Sequence, residues 1–171
     1  MKKLLFVLFA LGLAAPAFAG QPSVLVVDPD KAGTNVRDAP SGRVLDIIPY
    51  ASANSPDNVK ERRVVTLLNN EGKWFKVSYS GGQGYVHQSM LGVCTSATED
   101  GDPVLHKAPR FDAASKGRVA DGMRARPLAF FMQNDTAFLN VEILEGPRKG
   151  TTGWLPEQSF TANPYSSYWR R

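Results

Sequence analysis

Asn35-Val36-Arg37-Asp38-Ala39-Pro40 with Gly42-Arg43-Val44-Leu45-Asp46, and further on Val104-Leu105-His106-Lys107-Ala108-Pro109 with Gly117-Arg118-Val119-Ala120-Asp121, are two versions of one phrase. They also close alike. The first runs on to Trp74-Phe75-Lys76-Val77, Gly84-Tyr85-Val86 and Gln88-Ser89-Met90. The second runs on to Phe138-Leu139-Asn140-Val141, Gly153-Trp154-Leu155 and Gln158-Ser159-Phe160. The Ala-Pro pairs and the Gly-aromatic pairs are each displaced by 69 residues. A period of that length marks a repeated domain rather than a solenoid unit.

Within each copy the signals are those of strands. Val24-Leu25-Val26-Val27 is apolar and β-branched and stops at Asp28-Pro29-Asp30. Arg43 to Tyr50, Arg63 to Leu68, Trp74 to Tyr79 and Gln83 to Val86 follow, separated by turn residues such as Asn69-Asn70-Glu71-Gly72 and Ser80-Gly81-Gly82. Between Ala51 and Lys60 the polar, Pro-containing insert reads as an exposed loop. In the second copy the turn leading to Gly117 is longer, Pro127 is expected to kink the chain before a strand at Leu128–Phe131, and another strand runs from Phe138 to Leu144. No amphipathic helix longer than about two turns is expected. Short strands every ten residues or so predict an all-β chain of two small barrels in tandem.

The N-terminus combines Lys2 and Lys3, an apolar run from Leu4 to Ala15, and Pro16-Ala17-Phe18-Ala19. This is the pattern of a secretory signal peptide cut after Ala19, and the apolar run is too short for a spanning anchor. The expected organisation is a leader over residues 1–19, one barrel over 20–95, a second, divergent barrel over 101–162, and a tail over 163–171 that is aromatic and basic. The mature protein is then exported to the periplasm or beyond, with no transmembrane segment. The formal charge of +4 includes Lys2 and Lys3, so the excess left after cleavage is mild and unclustered. That argues against nucleic acid as a partner.

Asn35-Val36-Arg37 with Ala39-Pro40, then Trp74-Phe75-Lys76-Val77, then Gly84-Tyr85-Val86 resembles the bacterial SH3-like (SH3b) family of extracytoplasmic domains. The second copy departs from that pattern at Leu105-His106-Lys107 and Phe138. The resemblance implies recognition of cell-wall peptide or glycan, or of an envelope protein segment, with no catalysis and no cofactor. Shallow-groove recognition would use aromatic faces with Arg or Lys paired to carboxylates. The expected ligand-binding residues are Arg37, Tyr50, Trp74, Tyr79 and Tyr85 in the first copy and Trp154 in the second. Four of them have architectural alternatives: Arg37 pairs with Asp38 or Asp46 or caps carbonyls at a barrel end, and Trp74, Tyr85 and Trp154 fill a small core or its rim. Gly84 and Gly153 are expected either to adopt positive φ or to let a strand pass closely.

Catalytic chemistry finds little footing. Cys94 is the only cysteine, with His87 and His106 on either side of it. Neither a helix start nor a Gly-rich nucleophile turn surrounds Cys94, so it reads as a small core residue. The spacing of these three residues matches no structural metal site, and Glu99-Asp100-Gly101-Asp102 lacks the distal Glu of a calcium loop. No metal is expected. The alternative function is that of a protein-interaction subunit, a partner or inhibitor of a cell-wall hydrolase.

Overall fold

A computed structural model describes residues 20–52 and 54–163. The expected leader, and the expected C-terminal tail beyond Asn163, lie outside the described residues. Thirteen strands build the described part of the chain: β1 (Ser23–Val26), β2 (Thr34–Arg37), β3 (Val44–Ile48), β4 (Val64–Glu71), β5 (Trp74–Tyr79), β6 (Gly82–His87), β7 (Leu91–Thr95), β8 (Val104–His106), β9 (Ser115–Arg118), β10 (Arg124–Gln133), β11 (Thr136–Ile143), β12 (Thr152–Pro156) and β13 (Phe160–Thr161). The exposed insert of the sequence reading contains a five-residue helix, α1 (Asp57–Glu61), and Ala51 at its start is buried.

All pairings are antiparallel and join in one path, β3-β2-β6-β5-β4-β1-β7-β10-β11-β12-β8-β9, with β13 on β7. The all-β expectation stands, but two separate closed barrels are not what this pairing describes. The reason lies in β7. Its first residues pair with β1 (Leu25 opposite Gly92, Val26 opposite Leu91), while Val93 and Cys94 pair with β10 and Cys94 and Thr95 with β13. A strand whose backbone groups serve both halves ties them into one open sheet. Strand order is nonetheless repeated across it. β2 and β3 lie beside β6, β5 and β4 as β8 and β9 lie beside β12, β11 and β10. A 3₁₀ turn, Gln88–Met90, leads into β7 as another, Glu157–Ser159, leads into β13.

The core follows from strand alternation. On β5, Phe75 and Val77 point inward, and on β11 so do Leu139, Val141 and Ile143. They pack with Val24, Val26, Leu67, Val86, Leu91, Val93, Leu105 and Leu155 into one cluster that spans both halves. Every residue of β7 is buried.

Two local expectations are corrected, and one open alternative is decided. Asn69-Asn70-Glu71, read as a turn, continues β4 past a bulge between Leu67 and Asn69, and the chain reverses at Gly72, whose φ is 60°. Pro127 does not end a strand. It sits where the β10–β11 register shifts, between Pro127 and Ala129, so its missing N–H falls at a bulge. Gly84 and Gly153 have no positive φ and serve close packing instead. A Cβ on Gly84 would press on Val36 and lie 2.9 Å from the Arg37 carbonyl oxygen. One on Gly153 would lie 3.0 Å from Leu105 Cβ.

A buried arginine that the sequence reading passed over ties strand ends together. Arg63 precedes β4 and is wholly inaccessible. Its Nε donates to the Val26 carbonyl (2.6 Å), and its two terminal nitrogens donate to the Pro49 and Asp28 carbonyls (3.1 Å each). Burial lowers its pKa to about 10, with Asp28 opposing, and the guanidinium remains charged at neutral pH.

Candidate binding faces

Register places three of the six expected residues together. Arg37 on β2 is opposite Tyr85 on β6, Tyr85 is opposite Lys76 on β5, and Trp74 is opposite His87. All are half-buried and alternate with the inward residues Val36, Phe75, Val77 and Val86, so they share the face turned away from the core. The Arg37 guanidinium lies 6.0 Å from the centre of the Trp74 ring, and the His87 ring meets Trp74 edge-on at 5.1 Å.

The alternatives for Arg37 are resolved by its partners. Its Nη1 donates to the Gly42 carbonyl at 2.6 Å, holding the β2–β3 turn. Asp38 pairs with Arg43 and Asp46 accepts from Tyr79, so neither carboxylate takes Arg37. Tyr85 donates its hydroxyl to Glu71 Oε1 at 2.7 Å, and this bond, with a smaller contribution from desolvation, raises its pKa above the ordinary 10.0. The resulting face is aromatic, with cations from Arg37 and Lys76 and one carboxylate held by a tyrosine.

The other expected residues stand elsewhere. Tyr79 is five residues from Trp74 on the same strand, and that odd spacing turns it to the opposite side, against the core cluster. Its hydroxyl donates to Asp46 Oδ2 at 3.1 Å; desolvation first, and then that bond, raises its pKa. Tyr50 lies after β3 with the Arg63 guanidinium 5.9 Å from its ring centre. Trp154 is in the other half of the sheet, opposite His106 and Asn140.

The second half builds a different surface on the equivalent strands. Phe138 occupies the place of Trp74 yet is fully buried, outside the core cluster. What covers it is Phe111, whose ring meets Phe138 edge-on at 5.1 Å. Phe111 comes from the long connection between β8 and β9, the extended turn of the second copy, and remains 55% exposed. It borders two depressions. One, of about 520 Å³, is lined by residues including Asp100, Asp102, His106, Arg118, Gln158 and Ser159. The other, of about 240 Å³, lies towards Asn134 and Thr136. Neither was foreseen, because an isolated Phe in a turn carries no periodic signal.

Cys94 is 2% exposed within β7, beyond the reach of a substrate. His87 engages Ser89 through Nδ1 (2.7 Å), and His106 Nδ1 lies 3.3 Å from the Ala113 carbonyl oxygen. Among the described residues, no group of three or more His, Cys, Asp or Glu side chains is placed to hold a metal ion, and no helix is long and apolar enough to cross a membrane.

No family model matches the chain, and neither does any curated protein. Several solved structures are similar to it at low level, among them the following. NlpC2 from Trichomonas vaginalis is 14% identical with a TM-score of 0.32, over 85% of this chain and 49% of that one. NlpC1 from the same organism is 16% identical with a TM-score of 0.32, over 91% and 50%. A putative autolysin from Listeria monocytogenes is 11% identical with a TM-score of 0.29, over 82% and 62%. The chain thus spans about half the length of the two Trichomonas proteins. Scores this low fall short of a shared fold, and the reading of the two faces rests on their own geometry.

Proposed function

We propose that the chain is a non-catalytic binding protein of the cell envelope that holds cell-wall peptide or glycan on the outward face of its first half. The observation that carries this reading is the convergence of Arg37, Trp74, Lys76, Tyr85 and His87 on one side of three neighbouring strands, away from the core. These groups contribute nothing to the central cluster. They offer a flat aromatic surface beside cations, the chemistry suited to a carboxylate-bearing peptide. The leader pattern before Gly20 supports export to the compartment where such polymers lie. The repeated strand order supports descent from two SH3-like modules fused through β7.

Sedimentation with purified wall sacculi tests the proposal. The mature chain should pellet with sacculi at low salt, less at high salt. Trp74→Ala and Arg37→Ala should each weaken retention about tenfold, as the loss of a stacking ring or a charge-assisted contact does. Absence of pelleting at every salt concentration, or full retention by both variants, rejects this role.

A second reading, capture of an envelope protein segment, draws on β3. This strand pairs only with β2 and exposes Val44, Leu45 and Ile47. An edge of that kind can accept an added strand. However, the register shift at Leu45 and the Asp46 carboxylate on the Ile47 N–H (2.7 Å) both blunt the edge, which favours the first reading. Loss of an envelope partner in the Val44→Ser, Ile47→Ser double variant, with sacculus binding absent, would reverse that preference.

A further inference from the structure

We propose that the cleft beside Phe111 is a saccharide-binding subsite, separate from the first-half face and specific for neutral, hydroxyl-rich rings. Its volume of about 520 Å³ falls within the usual range for small-ligand sites, roughly 300–1,000 Å³. Phe111 forms a flat apolar wall: its edge contact with Phe138 fixes the ring, while more than half of its surface stays open. Pro103, Val104 and Pro156 extend the apolar lining. The C–H face of a pyranose ring suits such a wall, and its hydroxyls then reach the polar rim.

That rim is mixed in a way that suits hydroxyls. Arg118 is committed to the protein, since its Nη1 donates to the Asp100 and Asp102 carbonyl oxygens and so holds the 98–103 segment in place. The Asp100 and Asp102 carboxylates are acceptors for a ligand's hydroxyls, while the Thr98, Gln158 and Ser159 side chains can both donate and accept. His106, whose Nδ1 lies 3.3 Å from the Ala113 carbonyl oxygen, adds its imidazole edge to the rim. The lining carries one carboxylate more than its single guanidinium balances, which disfavours phosphate and other polyanions.

Ser159 belongs to the same rim. Only 5% of this residue is exposed, and it lines the cleft, where its hydroxyl can donate and accept. Its backbone carbonyl, by contrast, accepts from the Ser96 N–H at 2.9 Å.

The test is an NMR titration of the mature chain with an N-acetylglucosamine tetramer, run beside a lysine-containing peptide of similar length. The tetramer should give saturable shifts at the Phe111, Gln158 and Ser159 amides, and Phe111→Ala should weaken binding about tenfold. Ser159→Ala and Asp102→Asn leave the Phe111–Phe138 contact intact and should each weaken it about threefold. These two variants decide the matter should Phe111→Ala unfold. Four results overturn the assignment: no saturation by the tetramer, shifts confined to the Trp74 face, preference for the amine-bearing peptide, or unchanged affinity in both Ser159→Ala and Asp102→Asn.

Discussion

Replacing Arg63 probes how the first half is tied together. Arg63→Ala removes donors from three carbonyl oxygens, those of Val26, Asp28 and Pro49, which cap the end of β1 and the segment after β3. Hydrogen bonds from a charged donor are each worth about 1.5–3 kcal/mol, but relief from burying the guanidinium offsets part of their loss. With three such bonds lost and part of that loss offset, a net destabilisation of about 3–5 kcal/mol is expected. With a urea m-value of about 2 kcal/mol/M, the midpoint should fall by roughly 2 M. Arg63→Met should be milder by about 1 kcal/mol, because the methylene stem stays buried. The fold itself offers this comparison: the carbonyl that accepts from Val26 N belongs to Arg63, and the one that accepts from the repeat-equivalent Thr95 N belongs to Met123. Urea unfolding followed by far-ultraviolet circular dichroism and tryptophan fluorescence reads both variants. The two probes should coincide in the parent protein, since the shared β7 and common core couple the halves. A midpoint for Arg63→Ala within about 0.5 M of the parent would refute the reasoning, by showing that water or local rearrangement replaces the guanidinium.

Other outcomes follow from the same geometry. Gly84→Ala should destabilise by about 2–3 kcal/mol and Gly153→Ala by about 1–2, because the added methyl group meets backbone in the first case and a leucine side chain in the second; equal midpoints would contradict the close-approach account. The Tyr85 hydroxyl has its pKa raised by Glu71, so the stability it contributes is complete below the ordinary tyrosine pKa and is lost as pH rises through the folded value. Glu71→Gln should therefore lower the ionisation midpoint of Tyr85, read by ultraviolet difference absorbance, and an unmoved midpoint would reject the Glu71 contact as the cause. The Cys94 thiol should react with a bulky disulfide reagent only after unfolding, and rapid labelling of the native chain would place it at the surface.

Much of the strand content was readable because alternation in segments such as Trp74–Tyr79 and Phe138–Ile143 reflects a half-buried sheet. The candidate site was readable only in part. Arg37, Trp74 and Tyr85 were singled out because they fall in the segments that resemble the SH3-like family, and register brought them side by side. Tyr79 was grouped with them although five residues separate it from Trp74, a spacing that period-two geometry assigns to opposite faces. Arg63 escaped notice because a buried arginine is legible only from the carbonyls that surround it, which lie 14 to 37 residues away along the chain.

What the residue pattern decides unaided is local: which segments are extended, where turns break them, and that the second half echoes the first. Those properties follow from short-range backbone preferences and side-chain alternation, which any window of the chain carries within itself. Partner choice between strands is a different kind of fact. That β7 bonds to β1, β10 and β13, leaving an open sheet, and that Phe111 covers Phe138 where Trp74 stands uncovered, depends on surfaces far apart in sequence meeting at one place. Only the folded chain brings those surfaces together, because hydrophobic burial rewards total area removed from water and carries no label for which residues remove it.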